Sequence, residues 1–235
     1  MNNVGKLINY NLCAVKKSVF IAFGIFGVMW LITILTSFQF IALLPPACTA
    51  MVFEPVFINE NKNNAKKLMG ILPVKRYEYI LSRYILLTVT AVVLAVISFG
   101  IIKISDNITL YDMAEVIRIN SATGAENDIT VSFAGLVLCV GLSLGAMHFF
   151  CHFVFPEDKA NLATTSGIMI SIIVIIAVLY FVSGNLETML MKINELPQKM
   201  TENPYRFAGI SALSGFAVDI VFCVLSVIIV NRKEI

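Results

Sequence analysis

Charge is scarce in this chain. Asp, Glu, Lys and Arg together make up 14% of its 235 residues, against 58% hydrophobic residues. That balance lies well outside the profile of a soluble domain. No G-x-x-x-x-G-K-[ST] phosphate loop occurs, so the chain does not bind ATP by that route. There is no H-E-x-x-H helix and no C-x-x-C pair, the signatures of zinc proteases and thiol redox proteins. The net charge of +2 gives no case for a nucleic-acid partner. Cys13, Cys48, Cys139, Cys151 and Cys223 fall in apolar segments or near one polar face. They read as small buried hydrophobes and not as a disulfide framework.

What fills the chain instead is long apolar runs. Crossing roughly 30 Å of hydrocarbon takes about 20 residues. Six segments qualify: Val19–Phe38, Phe40–Ile58, Tyr79–Ile102, Val131–Phe153, Thr165–Val182 and Phe207–Val230. The second carries Pro45-Pro46, Glu54 and Pro55. Such breaks are tolerated only where neighbouring helices or water satisfy the freed backbone groups. Val19–Phe38 is too long for a signal peptide and lacks a small-residue cleavage site. The expectation is an all-α integral membrane protein, with residues 1–235 forming one transmembrane domain.

The basic residues orient it. With both termini inside, the inner face holds Lys6, Lys16, Lys17, Lys62, Lys66, Lys67, Lys75, Arg76, Arg83, Lys159, Arg232 and Lys233. The outer face holds only Lys103, Arg118, Lys192, Lys199 and Arg206. By the positive-inside rule this favours six spans with cytoplasmic N- and C-termini. Residues 1–17 repeat Val4, Leu7, Ile8, Leu12 and Val15 at helical spacing, as in an interfacial helix on the inner leaflet. The stretches 103–130 and 183–206 become extracellular loops. The first is acidic; the second repeats Leu186, Leu190, Ile193 and Leu196 at helical spacing and belongs at the outer membrane surface.

The segment Asn59–Ile85 stands apart, with six basic residues between two apolar runs. Asn59 suits an N-cap and Glu60 a first turn; Lys66 and Lys67 suit a last turn, and Gly70 a stop. Pro73 sits where the first turn of the next helix accepts proline. A short cytosolic helix followed by a sharp break is a surface that a cytosolic partner can grip.

Within the spans, Asp219 draws attention, because an ionised group at mid-bilayer costs about 2.5–3.5 kcal/mol on insertion scales. Two readings stand: a polar residue hydrogen-bonded inside the bundle, or a residue facing a translocation path. Its candidate partners are hydroxyls such as Ser211 or Ser214 within the two preceding turns, other helices, water in a central cavity, or a cationic cargo. An intramembrane aspartyl protease needs two carboxylates sharing a proton, and no second intramembrane Asp exists. His148, Cys151 and His152 lie at one-turn spacing but fall short of a four-ligand site, so helix packing is the plainer reading. Gly141 and Gly145 form a G-x-x-x-G that permits close helix approach, here read as packing within one chain.

Six spans, the N-terminal helix, and Ile71-Leu72-Pro73-Val74-Lys75-Arg76 followed by Ile80-Leu81-Ser82-Arg83-Tyr84 resemble the ABC-2 type permeases. Within them the chain is similar to the small bacterial group that includes the phenol-soluble modulin exporter permeases. That group has an acidic residue after the second span, then a leucine-proline-basic block leading into a Ser-Lys-Tyr-like start of the third. Glu60 supplies the acid here, and Arg83 stands where lysine is commoner. Phe153-Val154-Phe155-Pro156-Glu157-Asp158-Lys159-Ala160-Asn161 is similar to the Phe-Gly-x-Glu-Lys-Ala stretch of the family's second cytoplasmic loop, with Pro156 and Asp158 departing from it. The likeness covers the whole chain in layout and is specific over Asn59–Tyr84.

The resemblance implies a half-transporter of the type V exporter kind, with ATP and Mg held by a separate ATPase subunit. It implies that the first cytoplasmic loop is a coupling helix docking on that subunit through Asn59, Glu60, Lys62, Lys66, Leu68, Leu72, Pro73, Lys75 and Arg76. Pro156, Glu157 and Lys159 of the second loop would join them. Six helices are few for a conduit, so a homodimer or a paralogous permease is expected, lying in membrane lipid. The expected activity is export of amphipathic peptides or other hydrophobic cargo across a bacterial plasma membrane. The alternative is a non-transporting membrane anchor or regulator that docks a cytosolic partner.

Overall fold

The computed structural model describes residues 3–36, 39–49, 52–53, 75–108, 125–185, 188, 191, 195, 200 and 202–232. The described residues contain helices and turns and no strand. The first helix, α1 (Asn3–Thr36), is 34 residues long, about 51 Å at 1.5 Å per residue. No break occurs at Lys17, so residues 3–17 continue directly into the first apolar run and do not form a separate element. Its C-terminal part lies beside that of a later helix, α4 (Arg76–Ile108), where Trp30 Nε1 donates to Ser98 Oγ at 3.2 Å.

The expected second span is broken where its prolines fall. Two single-turn helices, α2 (Gln39–Ala42) and α3 (Leu44–Ala47), stand where a straight helix would begin. Pro45 and Pro46 occupy the first turn of α3, the position where a missing N–H costs nothing. Two carbonyls of this stretch are answered locally. Cys48 N donates to Leu44 O at 3.0 Å, and Thr49 Oγ1 donates to Pro46 O at 2.6 Å. Backbone polar groups in hydrocarbon need such partners inside the protein. Ala42 and Leu43 cluster with Ile102 near the C-terminal end of α4. Phe53 meets Phe149 edge to face at 6.0 Å and packs with Ile80 near the N-terminal end of α4. Residues 42–43 and residue 53 therefore lie toward opposite ends of α4.

Three further helices follow: α5 (Ala125–Val154), α6 (Glu157–Ser183) and α7 (Pro204–Arg232). Gly184 ends α6 in the left-handed conformation (φ 77°), and its N–H caps Tyr180 O. Glycine adopts that backbone without a Cβ penalty. Among the described residues, four stretches are long and apolar enough to cross a membrane: Arg76–Ile104, Val131–Val154, Lys159–Ala177 and Pro204–Arg232. They correspond to the third to sixth expected spans; the apolar stretch of α1, Phe20–Leu35, is shorter. Because α4 runs to Ile108 and α5 starts at Ala125, both ends of the expected loop 103–130 are helical. The apolar repeat Leu186, Leu190, Ile193 and Leu196 lies outside the described residues.

The closest packing is between α5 and α7. Gly135 sits against the Ala208 backbone, and a Cβ built on Gly215 would lie 2.7 Å from Cys139 Cα. The pairs Gly135–Ala208, Cys139–Gly215 and Phe150–Phe222 (5.4 Å) advance together along both helices, so α5 and α7 run parallel. Contacts from α4 to α7 pair Tyr84 with Ser226 and Thr88 with Asp219, so these two run antiparallel. Gly141 and Gly145 pack within the chain, against Pro46 O and the Leu87 side chain. In contrast, α6 packs chiefly on α5 and leaves Ile170, Ile173 and Ile176 exposed.

Candidate functional site

Two places carry chemistry. One is the end of the bundle where α4 starts and α5 finishes; the other is a polar cluster buried between α4 and α7.

At the first, the described chain resumes at Lys75. Glu78, in the first turn of α4, accepts from the Lys75 backbone N–H at 3.1 Å. Glu78 N and Tyr79 N donate back to Lys75 O at 2.9 and 3.3 Å. This is half of a capping box, and it starts the helix sharply at Arg76. Lys75 and Arg76 are exposed, with Lys75 Nζ 5.8 Å from the Tyr77 ring centroid. Asn59, Glu60, Lys62, Lys66, Leu68, Leu72 and Pro73 lie outside the described residues.

Only Phe155 and Pro156 separate α5 from α6. Lys159 N and Ala160 N donate to Pro156 O at 3.0 and 2.9 Å. Glu157 opens α6, and Lys159 is exposed. Tyr79 and Phe153 meet edge to face with ring centroids 5.8 Å apart. The structure thus gathers Lys75, Arg76, Pro156 and Lys159, drawn from two distant sequence blocks, at one end of the bundle.

Arg83 differs from the exposed Lys75 and Arg76. Counted among the charges of the inner face, it is fully enclosed. Its Nη2 donates to Tyr79 OH at 3.2 Å, and the guanidinium carbon lies 5.2 Å from the Tyr79 ring centroid. A planar guanidinium over an aromatic face is a favourable way to keep such a charge out of water.

The second place centres on Asp219, which is 6% exposed. Its partner is not on its own helix. Thr88 Oγ1 on α4 lies 2.7 Å from Asp219 Oδ2. Ser214 instead pairs with Cys139 Sγ at 3.2 Å and donates to Ser211 O at 2.7 Å. One turn of α4 before Thr88, Tyr84 OH reaches Ser226 Oγ at 2.9 Å and donates to Ala146 O at 3.2 Å. Three helices are therefore joined through hydroxyls and one carboxyl. Tyr84 closes the Ser82-Arg83-Tyr84 block that carries the resemblance, whereas Thr88 and Ser226 carry no motif, and the one sequence sign of them is that hydroxyl side chains recur inside otherwise apolar runs.

Other chemistry does not assemble. His148 and His152 stack as a T-shaped pair at 4.5 Å, and among the described residues no group of three His, Cys, Asp or Glu could hold a metal ion. Gly141-Leu142-Ser143-Leu144-Gly145 spells the G-x-S-x-G of a hydrolase nucleophile elbow. That motif works at a strand-to-helix turn, whereas these residues lie inside the continuous α5.

Compared with known proteins, the chain matches the family model described as ABC-2 family transporter protein over residues 6–231. No curated protein and no solved structure matches it.

Proposed function

We infer the function from this premise: the chain belongs to the ABC-2 family of transporter proteins, and is a membrane-embedded permease subunit of an ABC transporter. The family match over nearly the whole length carries the reading. The absence of a phosphate loop in the sequence agrees with it, since ATP and Mg then belong to a separate ATPase subunit. The chain is not itself an enzyme in this reading. Its ATPase docks on the cytoplasmic segment 59–76, with the α5–α6 turn around Pro156, Glu157 and Lys159 as a second contact. The gathering of Lys75, Arg76 and Lys159 at one end supports that placement.

The cargo is an amphipathic peptide or another hydrophobic molecule moved outward, in keeping with the resemblance to phenol-soluble modulin exporter permeases. Two permease subunits, identical or paralogous, line the pathway in the plasma membrane of a bacterium, with all termini cytoplasmic. The exposed apolar flank of α6 is available to lipid or to that second subunit. The test is reconstitution with the cognate ATPase in proteoliposomes loaded with a labelled amphipathic helical peptide. ATP-dependent movement of the peptide supports the reading. Partner binding without movement of any hydrophobic probe would favour a membrane anchor.

A further inference from the structure

Hydrogens do not balance across the α4–α7 contact if Asp219 is ionised. Thr88 Oγ1 lies 2.9 Å from Tyr84 O and 2.7 Å from Asp219 Oδ2. A threonine hydroxyl has one hydrogen to give, while a carbonyl oxygen and an ionised carboxylate only accept. With an ionised Asp219, that one hydrogen would be split between two short contacts or would leave one of them as acceptors facing each other. A proton on Oδ2 removes the conflict. Asp219 then donates to Thr88 Oγ1, and Thr88 donates to Tyr84 O, the carbonyl one turn before it, in the common back-bond of helical threonine.

The surroundings agree. Asp219 Oδ1 is buried with no hydrogen-bond partner among the described residues. An ionised oxygen in that position is far costlier than a neutral one. Groups able to titrate or carry charge come from each helix packed on this place: Arg83 and Tyr84 on α4, His148, Cys151 and His152 on α5, and Cys223 on α7 itself. Tyr84 and the two thiols are neutral in their usual state at neutral pH. The Arg83 guanidinium is turned to Tyr79, on the preceding turn of α4, and the two histidine rings face each other.

We propose that Asp219 is a proton-binding site: while α4 and α7 are in contact it holds one exchangeable proton on Oδ2, hydrogen-bonded to Thr88 Oγ1. Parting of the two helices admits water, which takes up that proton and leaves a hydrated carboxylate. Closure of the α4–α7 interface and uptake of a proton are then linked, each favouring the other. This goes beyond the permease reading and holds whatever the cargo.

The test measures the proton and not transport. Full-length protein in lipid vesicles at neutral pH is studied by infrared spectroscopy in H2O and D2O. The expected result is a carbonyl band of a protonated carboxylic acid that shifts on deuteration and is lost in Asp219→Asn. In Thr88→Val, which keeps the side-chain shape but removes the acceptor, the same band shifts in frequency. Should Asp219→Asn fail to insert, the Thr88→Val shift decides alone. Absence of the band in the wild type, its persistence in Asp219→Asn, or an unmoved band in Thr88→Val would overturn the proposal.

Discussion

Tyr79 and Phe153, 74 positions apart in sequence, meet edge to face with ring centroids 5.8 Å apart. The contact fastens the first turn of α4 to the last turn of α5. Beyond it, α4 runs about one and a half turns to Tyr84 and two and a half to Thr88, whose hydroxyls hydrogen-bond with α7. A partner docked at this end is thereby linked to the membrane interior through packed side chains.

The orientation can be read with introduced cysteines in a background cleared of the native ones. Asn64→Cys and Asn231→Cys should be shielded from a membrane-impermeant thiol reagent in intact cells, and Asn127→Cys should label. Labelling of Asn64→Cys from outside would reverse the topology.

Glycine positions should divide sharply in their tolerance. Gly215→Val places a side chain into the Cys139 backbone, and Gly135→Val does the same at Ala208. Each should destabilise the folded bundle by about 1–3 kcal/mol or force the helices apart. A Cβ on Gly100, inside α4, meets nothing within 4 Å. Gly100→Ala should be neutral or raise stability by up to about 1 kcal/mol, since glycine is the poorer helix former. Thermal unfolding in detergent compares the three.

Asp219→Asn retains a group that can donate to Thr88 and should leave folding and subunit assembly intact. If Asp219 faces the path, export of an amphipathic peptide should fall in this variant. A fully active and equally stable Asp219→Leu would remove Asp219 from the functional residues.

The third to sixth spans were legible from composition, because apolar runs of about 20 residues need no tertiary information to recognise. The Pro45-Pro46 break was equally legible, since the missing N–H groups forbid a regular helix interior at that point. The packing role of Gly141 and Gly145 was also legible, although their contacts, Pro46 and Leu87, were not. The partner of Asp219 could not be read. Choosing Thr88 over Ser211 or Ser214 depends on how α4 and α7 are rotated and staggered, and this is set by long-range packing. The enclosure of Arg83 was not legible for a related reason. Charge counting reads only which side of a span a residue falls on, whereas the contact of this guanidinium with the Tyr79 ring one turn away is set by packing.

The central claim is that a separate ATPase drives this permease through the cytoplasmic segment ahead of α4. The most direct measurement is ATP hydrolysis by the cognate ATPase with and without the permease in proteoliposomes. Hydrolysis should be stimulated by the wild-type chain. Replacing Leu68 and Leu72 by Ser, which removes the apolar anchor but spares the charges, should abolish the stimulation while membrane insertion remains normal. If Lys62, Lys66 and Lys67 merely meet anionic head groups, at about 1 kcal/mol each, the double variant will stimulate as the wild type does. That result, or a wild-type chain that never alters hydrolysis, would contradict the account.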